Sequence, residues 1–291
     1  MAADGRRASL ALVLAAFLFG STFLVVKDAT TDADVVPFLA ARFLVGAMVL
    51  WPLARRRPAT PHEIGHGVLA GSVFLAGYVF QTIGLQYTTG STSAFITYLL
   101  VVFVPLINAV LLREAPGWVT AVGVVLAVVG LVLLSGGVDA LGRGEWLTLG
   151  CAVCFALHIV ILDRTTARHD ALRLTFWQVL TVGLGCLVPG FFLGGYRFGA
   201  PAWAAAAFTG VGPTAVAVLC MVWAQRVLPP ARAALLLLLE PVFAGALGYF
   251  VGDRLGGRGV LGAALILTAV LLTELVPAWR GRPIVPRHAD V

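Results

Sequence analysis

Apolar runs of about twenty residues, separated by short polar or basic joints, recur along the whole chain. Ten can be read, at about 8–26, 35–54, 66–86, 91–112, 117–135, 146–163, 172–193, 202–224, 231–251 and 258–277. Each is long enough to cross a hydrocarbon core about 30 Å thick as a helix. The pattern predicts an all-α integral membrane protein with ten transmembrane helices. The first run follows Arg6-Arg7 and resembles a signal peptide in its basic start and apolar core. It is long for a signal core and nine further runs follow, so it reads as a retained helix.

The ninth run contains the position that most changes this picture. In PPARAALLLLLEPVFAGALGYFVGDR, Glu240 is followed at once by Pro241. At about 1.5 Å per residue, Glu240 lies roughly 13 Å from Ala231, near mid-bilayer. An ionised carboxylate there costs on the order of 2.5–3.5 kcal/mol on insertion scales. Pro241 cannot donate to the carbonyl four residues back, so backbone polarity is freed at the same depth. A polar cavity between helices satisfies both features and lipid satisfies neither. A Glu held in a structural hydrogen bond is the plainer alternative.

Composition agrees with the pattern. The chain has 291 residues, 60% of them hydrophobic and 12% charged, with mean hydropathy +0.97. A soluble domain carries about 25% charged residues. The net charge of +6 is accounted for by basic cytoplasmic loops rather than by nucleic acid. With the N-terminus inside, the inner loops hold Arg6, Arg7, Arg55 to Arg57, Arg113, Arg164, Arg168 and Arg173, and further arginines near residues 226–232 and 280–287. The outer loops hold only Lys27, Arg143, Arg197, Arg254 and Arg258. Both termini are therefore expected in the cytoplasm, with the protein multi-pass in the cytoplasmic (inner) membrane. Cys151, Cys154, Cys186 and Cys220 all fall in apolar runs, where cysteine is usually a small apolar residue rather than a metal ligand.

The two halves of the chain resemble each other. An offset of 139 superposes Ala94 on Ala233, Glu114 on Asp253, Gly123 on Gly262 and Gln86 on Gln225. Nearer the start of each half an offset of 136 pairs Phe19 with Phe155 and Arg42 with Gln178. Residues 1–137 and 138–291 would then be two five-helix repeats, joined at the Gly-rich SGGVDALGRGE that starts at Ser135. An odd number of helices per half inverts the second half, and inverted repeats point to a transporter with a midplane site.

Several stretches carry a family likeness. They are FGSTF from Phe19 with Lys27 after it, Pro37 with Ala41-Arg42-Phe43, and QTIGLQY from Gln81. Ser93 to Glu114 and the Glu240-Pro241 segment ending at Asp253-Arg254 complete the set. In their order over ten runs the chain resembles the drug/metabolite transporter superfamily, and within it the EamA-type exporters. The resemblance implies an inverted repeat, a central cavity, and export of amino acids or other small metabolites. This chain departs from the pattern at Phe19-Gly20, where Trp-Gly is usual, and at Asp253-Arg254, where Glu-Arg is usual.

The candidate site residues are Glu240, Arg42, Tyr78, Gln81, Tyr98 and His158. Arg42 could hold an anionic group of the solute, pair with a helix end, or snorkel to an interface. His158 could carry a proton, donate to the solute, reach Glu240 across the cavity, or be an ordinary satisfied core histidine. Tyr78 and Tyr98 lie near the midplane, where an aromatic hydroxyl suits a cavity wall better than an interface belt. One rival motif stands apart. His62-Glu63-Ile64-Gly65-His66 matches the H-E-x-x-H of zinc peptidases. It follows Pro58 and Pro61 in a basic joint with no evident third ligand, and reads as a solvated helix start.

The resulting expectation is a secondary transporter moving a small organic metabolite by alternating access, outward by family analogy, with proton coupling at Glu240. A membrane-embedded zinc peptidase and a passive facilitator are the alternatives. No catalytic residue, cofactor or resident metal is expected. The partners are the solute and the lipid bilayer, and a homodimer is compatible with the pattern.

Overall fold

The computed structural model describes residues 2–56, 58–112, 117–137, 141–166, 169–225, 227–228 and 230–279. Glu114 and the 137/138 boundary between the halves fall on or beside residues outside this set. Among the described residues there is no strand. The helices are α1 (Ala2–Ala29), α2 (Val35–Ala54), α3 (Pro61–Leu85), α4 (Gly90–Thr97), α5 (Leu100–Leu112), α6 (Trp118–Leu134) and α7 (Arg143–Thr166). They continue with α8 (Ala171–Phe192), α9 (Ala200–Thr209), a π-helical stretch Gly210–Ala217, α10 (Val218–Gln225), α11 (Pro230–Leu237), α12 (Leu239–Phe250) and α13 (Gly257–Trp279). Seven helical stretches are long and apolar enough to cross a membrane, and three shorter apolar helices accompany them.

Helix starts reach further than the apolar runs because polar caps extend them. Thr60 accepts the Glu63 amide at 3.2 Å with Pro61 opening α3, so α3 begins about a turn before its apolar run. Thr89 accepts the Thr92 amide at 3.1 Å at the start of α4. Asp170 does the same for Arg173 at 3.0 Å at the start of α8. Each side chain satisfies an amide that has no partner within its own helix.

The helices pack in a definite order. α2 lies against α8, α3 against α7 and α8, and α6 against α13. α1 packs on α12 and along the α9–α10 stretch. α4 packs on α12 and α7, and α5 on α7. Leu39, Phe43, Ala47 and Leu50 of α2 interlock with Phe176, Val179, Val182 and Cys186 of α8. Lipid is as apolar as these side chains, so close fit rather than water exclusion holds such helices together. The α6–α13 pair illustrates it. A Cβ on Gly262 would lie 2.5 Å from the Gly130 carbonyl, and one on Gly130 2.8 Å from the Gly262 carbonyl. The opposite face of α6 exposes Trp118, Val122, Val125 and Val129, an apolar surface suited to hydrocarbon.

Three of the expected continuous runs are interrupted. The fourth divides at Tyr98-Leu99, where Leu99 donates to Ile96 at 3.0 Å and Val102 to Leu99 at 2.9 Å in a tightened turn. The ninth divides at Leu238, between α11 and α12. Pro241 explains that break, since it leaves the Leu237 carbonyl without its helical donor. The eighth widens into the π-helical stretch around Pro213.

Candidate functional site

The two broken helices meet where α4 packs on α12. Glu240 sits in the first turn of α12, directly after the break. It is partly buried. No hydrogen-bond or ion-pair partner meets its carboxylate among the described residues. The closeness of α1 shapes this spot. A Cβ on Gly20 would lie 2.6 Å from the Glu240 carbonyl oxygen and 3.0 Å from the Ala244 nitrogen, so only glycine lets α1 back onto the break.

Arg42 enters from α2. It is 2% exposed, which rules out snorkelling. Its guanidinium lies 5.1 Å from the Tyr78 ring centre and 5.3 Å from that of Phe43, within cation–π range. Its Nε donates to Thr214 Oγ1 at 3.3 Å. Tyr78 lies within electrostatic reach of both Arg42 and Glu240. A cation and an acid from different halves of the chain therefore flank one tyrosine without pairing with each other.

The wall between them is polar in a few places. Gln81 Nε2 donates to Thr97 Oγ1 at 3.3 Å. Thr97 is the last residue of α4. Tyr98 caps α4 at the break and is buried. His158 is brought to a different partner from the one expected. Its Nε2 shares a 2.5 Å hydrogen bond with Gln178 Oε1 of α8, and its ring stacks on Phe74 at 4.4 Å and 13°. It is a satisfied core histidine in this structure and does not reach Glu240. A separate groove of about 610 Å³, lined by Phe80, Leu141, Arg143, Trp146 and Leu147, contains none of these residues.

The profile of the EamA-like transporter family matches the chain twice, over residues 6–136 and 142–275. The chain belongs to the EamA-like transporter family. It is 30% identical over 270 residues to an uncharacterized transporter of Archaeoglobus fulgidus, covering 92% of this chain and 86% of that protein. A second uncharacterized transporter of that organism is 30% identical over 278 residues, covering 94% and 97%. A solved crystal structure superposes with TM-score 0.65 at 20% identity over 94% of this chain and 98% of its own, a likeness of fold.

This EamA-like protein is thus a multi-pass membrane transporter, and its H-E-x-x-H sequence has a different role from the peptidase one. The expected solvated helix start is corrected at Glu63, which is 1% exposed. Both its oxygens accept from Arg173 Nε, at 3.1 and 3.0 Å, and Oε1 accepts the Asp170 amide at 3.2 Å. His66 Nδ1 bonds His169 Nε2 at 2.8 Å, while His62 is exposed. A glutamate so engaged cannot activate water, and no group of three His, Cys, Asp or Glu among the described residues could hold a metal ion. The motif is a clamp between the start of α3 and the α7–α8 joint.

Sequence reasoning passed over Thr97 and Thr214. Thr97 carried no signal distinguishing it from other small residues of apolar runs. Thr214 did carry one, because Gly210, Gly212 and Pro213 precede it inside a helical run.

Proposed function

We propose that this EamA-like transporter carries a small organic solute across the cytoplasmic membrane by alternating access, outward, with a proton taken and released at Glu240. The observation that carries the reading is the pair of broken helices. The breaks at Tyr98-Leu99 and Leu238 agree to within a residue under the offset of 139, and the unpartnered Glu240 lies beside the second. Matched discontinuous helices in corresponding halves are the usual mark of a transporter site.

The packing supports two inverted five-helix halves, 1–137 and 138–291, and ten spans. Count α4–α5, α9–α10 and α11–α12 each as one span. Exchanging every span with its counterpart then maps the α2–α8 and α6–α13 contacts onto themselves. It also maps α3 on α7 onto α9–α10 on α1, and α1 on α12 onto α7 on α4–α5. Asp34 and Asp170 open α2 and α8 at an offset of 136. Alternation is supported by an unequal closure. α4 packs on α12, whereas α5 and α11 are not packed together in this way among the described residues. With both termini in the cytoplasm, α4 and α12 close the outer end, and the space by Glu240 leads inward.

Glu240→Gln tests the reading. It keeps shape and hydrogen bonding but fixes the neutral state. In reconstituted vesicles the variant should lose pH-dependent net transport while solute exchange, which need not move a proton, suffers less. Unchanged pH-dependent transport in Glu240→Gln would refute the coupling role. Flux that does not saturate and ignores every gradient would make the protein a passive facilitator.

A further inference from the structure

We propose that Thr214 and the π-helical turn around it are a positioning device for Arg42, holding its guanidinium by the Nε edge so that the free Nη edge receives an oxyanion, a carboxylate of the carried solute. The inference rests on the reading of Arg42 and Glu240 as parts of one solute site.

The device begins with Pro213. Its nitrogen carries no proton, so the Thr209 carbonyl four residues earlier loses its α-helical donor. The π-helical turn shifts the donor to the residue five positions on, Thr214, and the Thr214 hydroxyl also donates to the Thr209 carbonyl at 2.9 Å. A hydroxyl has one proton and two lone pairs. With its proton committed to Thr209, Thr214 Oγ1 can only accept, and it accepts from Arg42 Nε at 3.3 Å. The turn thus fixes which end of the guanidinium is used up.

Backbone contact makes the arrangement rigid. A Cβ on Gly210 would lie 2.5 Å from the Arg42 carbonyl, and one on Gly46 would lie 2.6 Å from Thr214 Cγ2. α2 and the π-turn therefore touch directly on both sides of the Arg42–Thr214 bond. The guanidinium also lies over the rings of Tyr78 and Phe43.

The terminal nitrogens are left open. Guanidinium has five N–H donors in a planar fork, and only Nε has a protein acceptor among the described residues. The Nη atoms are not among the sealed, unpartnered polar atoms of the structure, so they keep accessible surface for an incoming acceptor. A buried guanidinium without an acid lacks the counter-charge that burial demands. A planar fork held by one edge is suited to bidentate binding of a carboxylate. Glu240 supplies no such pairing.

The test uses purified full-length protein in nanodiscs and two probes of similar size and opposite charge, phenylacetate and phenethylamine. Binding is read as a saturable shift in melting temperature. Phenylacetate should bind wild type and phenethylamine should not compete with it. Arg42→Gln should abolish phenylacetate binding. Thr214→Val, which keeps the methyl and loses the hydroxyl, should weaken it about five- to tenfold, as expected for one lost hydrogen bond, and Thr214→Ser should restore it. Arg42→Lys keeps the charge without the fork and should bind at least tenfold more weakly, which keeps the test decisive if Thr214→Val misfolds. Wild-type affinity in Thr214→Val or Arg42→Lys, preference for phenethylamine, or no saturable phenylacetate shift in wild type would each overturn the proposal. Binding that follows this order of variants without flux in vesicles would refute the transport reading and leave the anion seat standing.

Discussion

Gly20→Ala isolates the contact that places α1 against the broken helix. The added Cβ would meet the Glu240 carbonyl oxygen at 2.6 Å, the Ala244 nitrogen at 3.0 Å and Phe243 Cβ at 3.0 Å. Ordinary contacts between such atoms sit nearer 3.5 Å, so α1 or α12 must retreat by roughly 1 Å. Two of the three atoms are backbone and cannot rotate aside. Overpacking of this kind costs about 1–3 kcal/mol. The better helix propensity of alanine returns at most about 1 kcal/mol, so the overlap wins and the variant is destabilised. The displaced atoms belong to the turn that carries Glu240, so transport should fall further than the stability loss accounts for. Melting temperature of the purified protein and initial transport rate in vesicles are the two readouts. Gly65→Ala is the control, because nothing lies within 4 Å of its added Cβ, and it should be neutral or slightly stabilising. Equal melting temperatures and rates for Gly20→Ala and wild type would refute the claim that α1 and the break are in backbone contact.

Arg173→Gln should destabilise the protein by about 3 kcal/mol, the low end for a broken buried pair, because it strands the Glu63 carboxylate while Arg173 itself is 19% exposed; Glu63→Gln with Arg173→Gln should recover part of that loss in a double-mutant cycle of thermal stability. His62→Ala should be silent and His66→Ala should cost about 1 kcal/mol, the value of its bond to His169, with transport kept in both; stoichiometric zinc lost together with activity would revive the peptidase alternative. Single cysteines at Gly195 and Arg55 should label from outside and inside the cell respectively, and labelling of position 195 from the cytoplasmic side would overturn the orientation.

Helix positions were legible because an apolar run of about twenty residues has few other uses. The break beside Pro241 was legible for a similar reason, since a missing amide has a local consequence. The break at Tyr98-Leu99 was not. No proline or glycine lies within it, Pro105 is several residues on, and the structure offers no local chemical cause. The π-turn was legible in principle from Gly210, Gly212 and Pro213, but its consequence lay in Arg42, 172 residues away. The same distance problem hid the clamp. H-E-x-x-H shows two histidines on one helix face, while the groups that settle its role, His169 and Arg173, lie more than a hundred residues further along. Local pattern reports backbone geometry well and reports side-chain partners across the fold hardly at all.

Arg42 and Gln178 occupy matched positions in the two halves, at an offset of 136, and the frame around them is similar. Each stands on a helix of the α2–α8 pair. Their chemistry differs completely. Gln178 is closed, sharing a 2.5 Å bond with His158 and donating to the Leu174 carbonyl at 3.1 Å. Arg42 is half open, fixed at Nε and unpaired beyond it. Position 240 is acidic, while its counterpart under the offset of 139 is Val101. A repeat that was symmetric in chemistry would present two equivalent sites. Here Arg42 from the first half and Glu240 from the second have no ion-pair partner among the described residues, and both lie within electrostatic reach of Tyr78. Under the proposed function, two halves that share a fold build one site with a cationic and an acidic side. In the proposed alternating-access cycle, motion of one half against the other would change the separation of those two groups, and with it the affinity for any solute that bridges them.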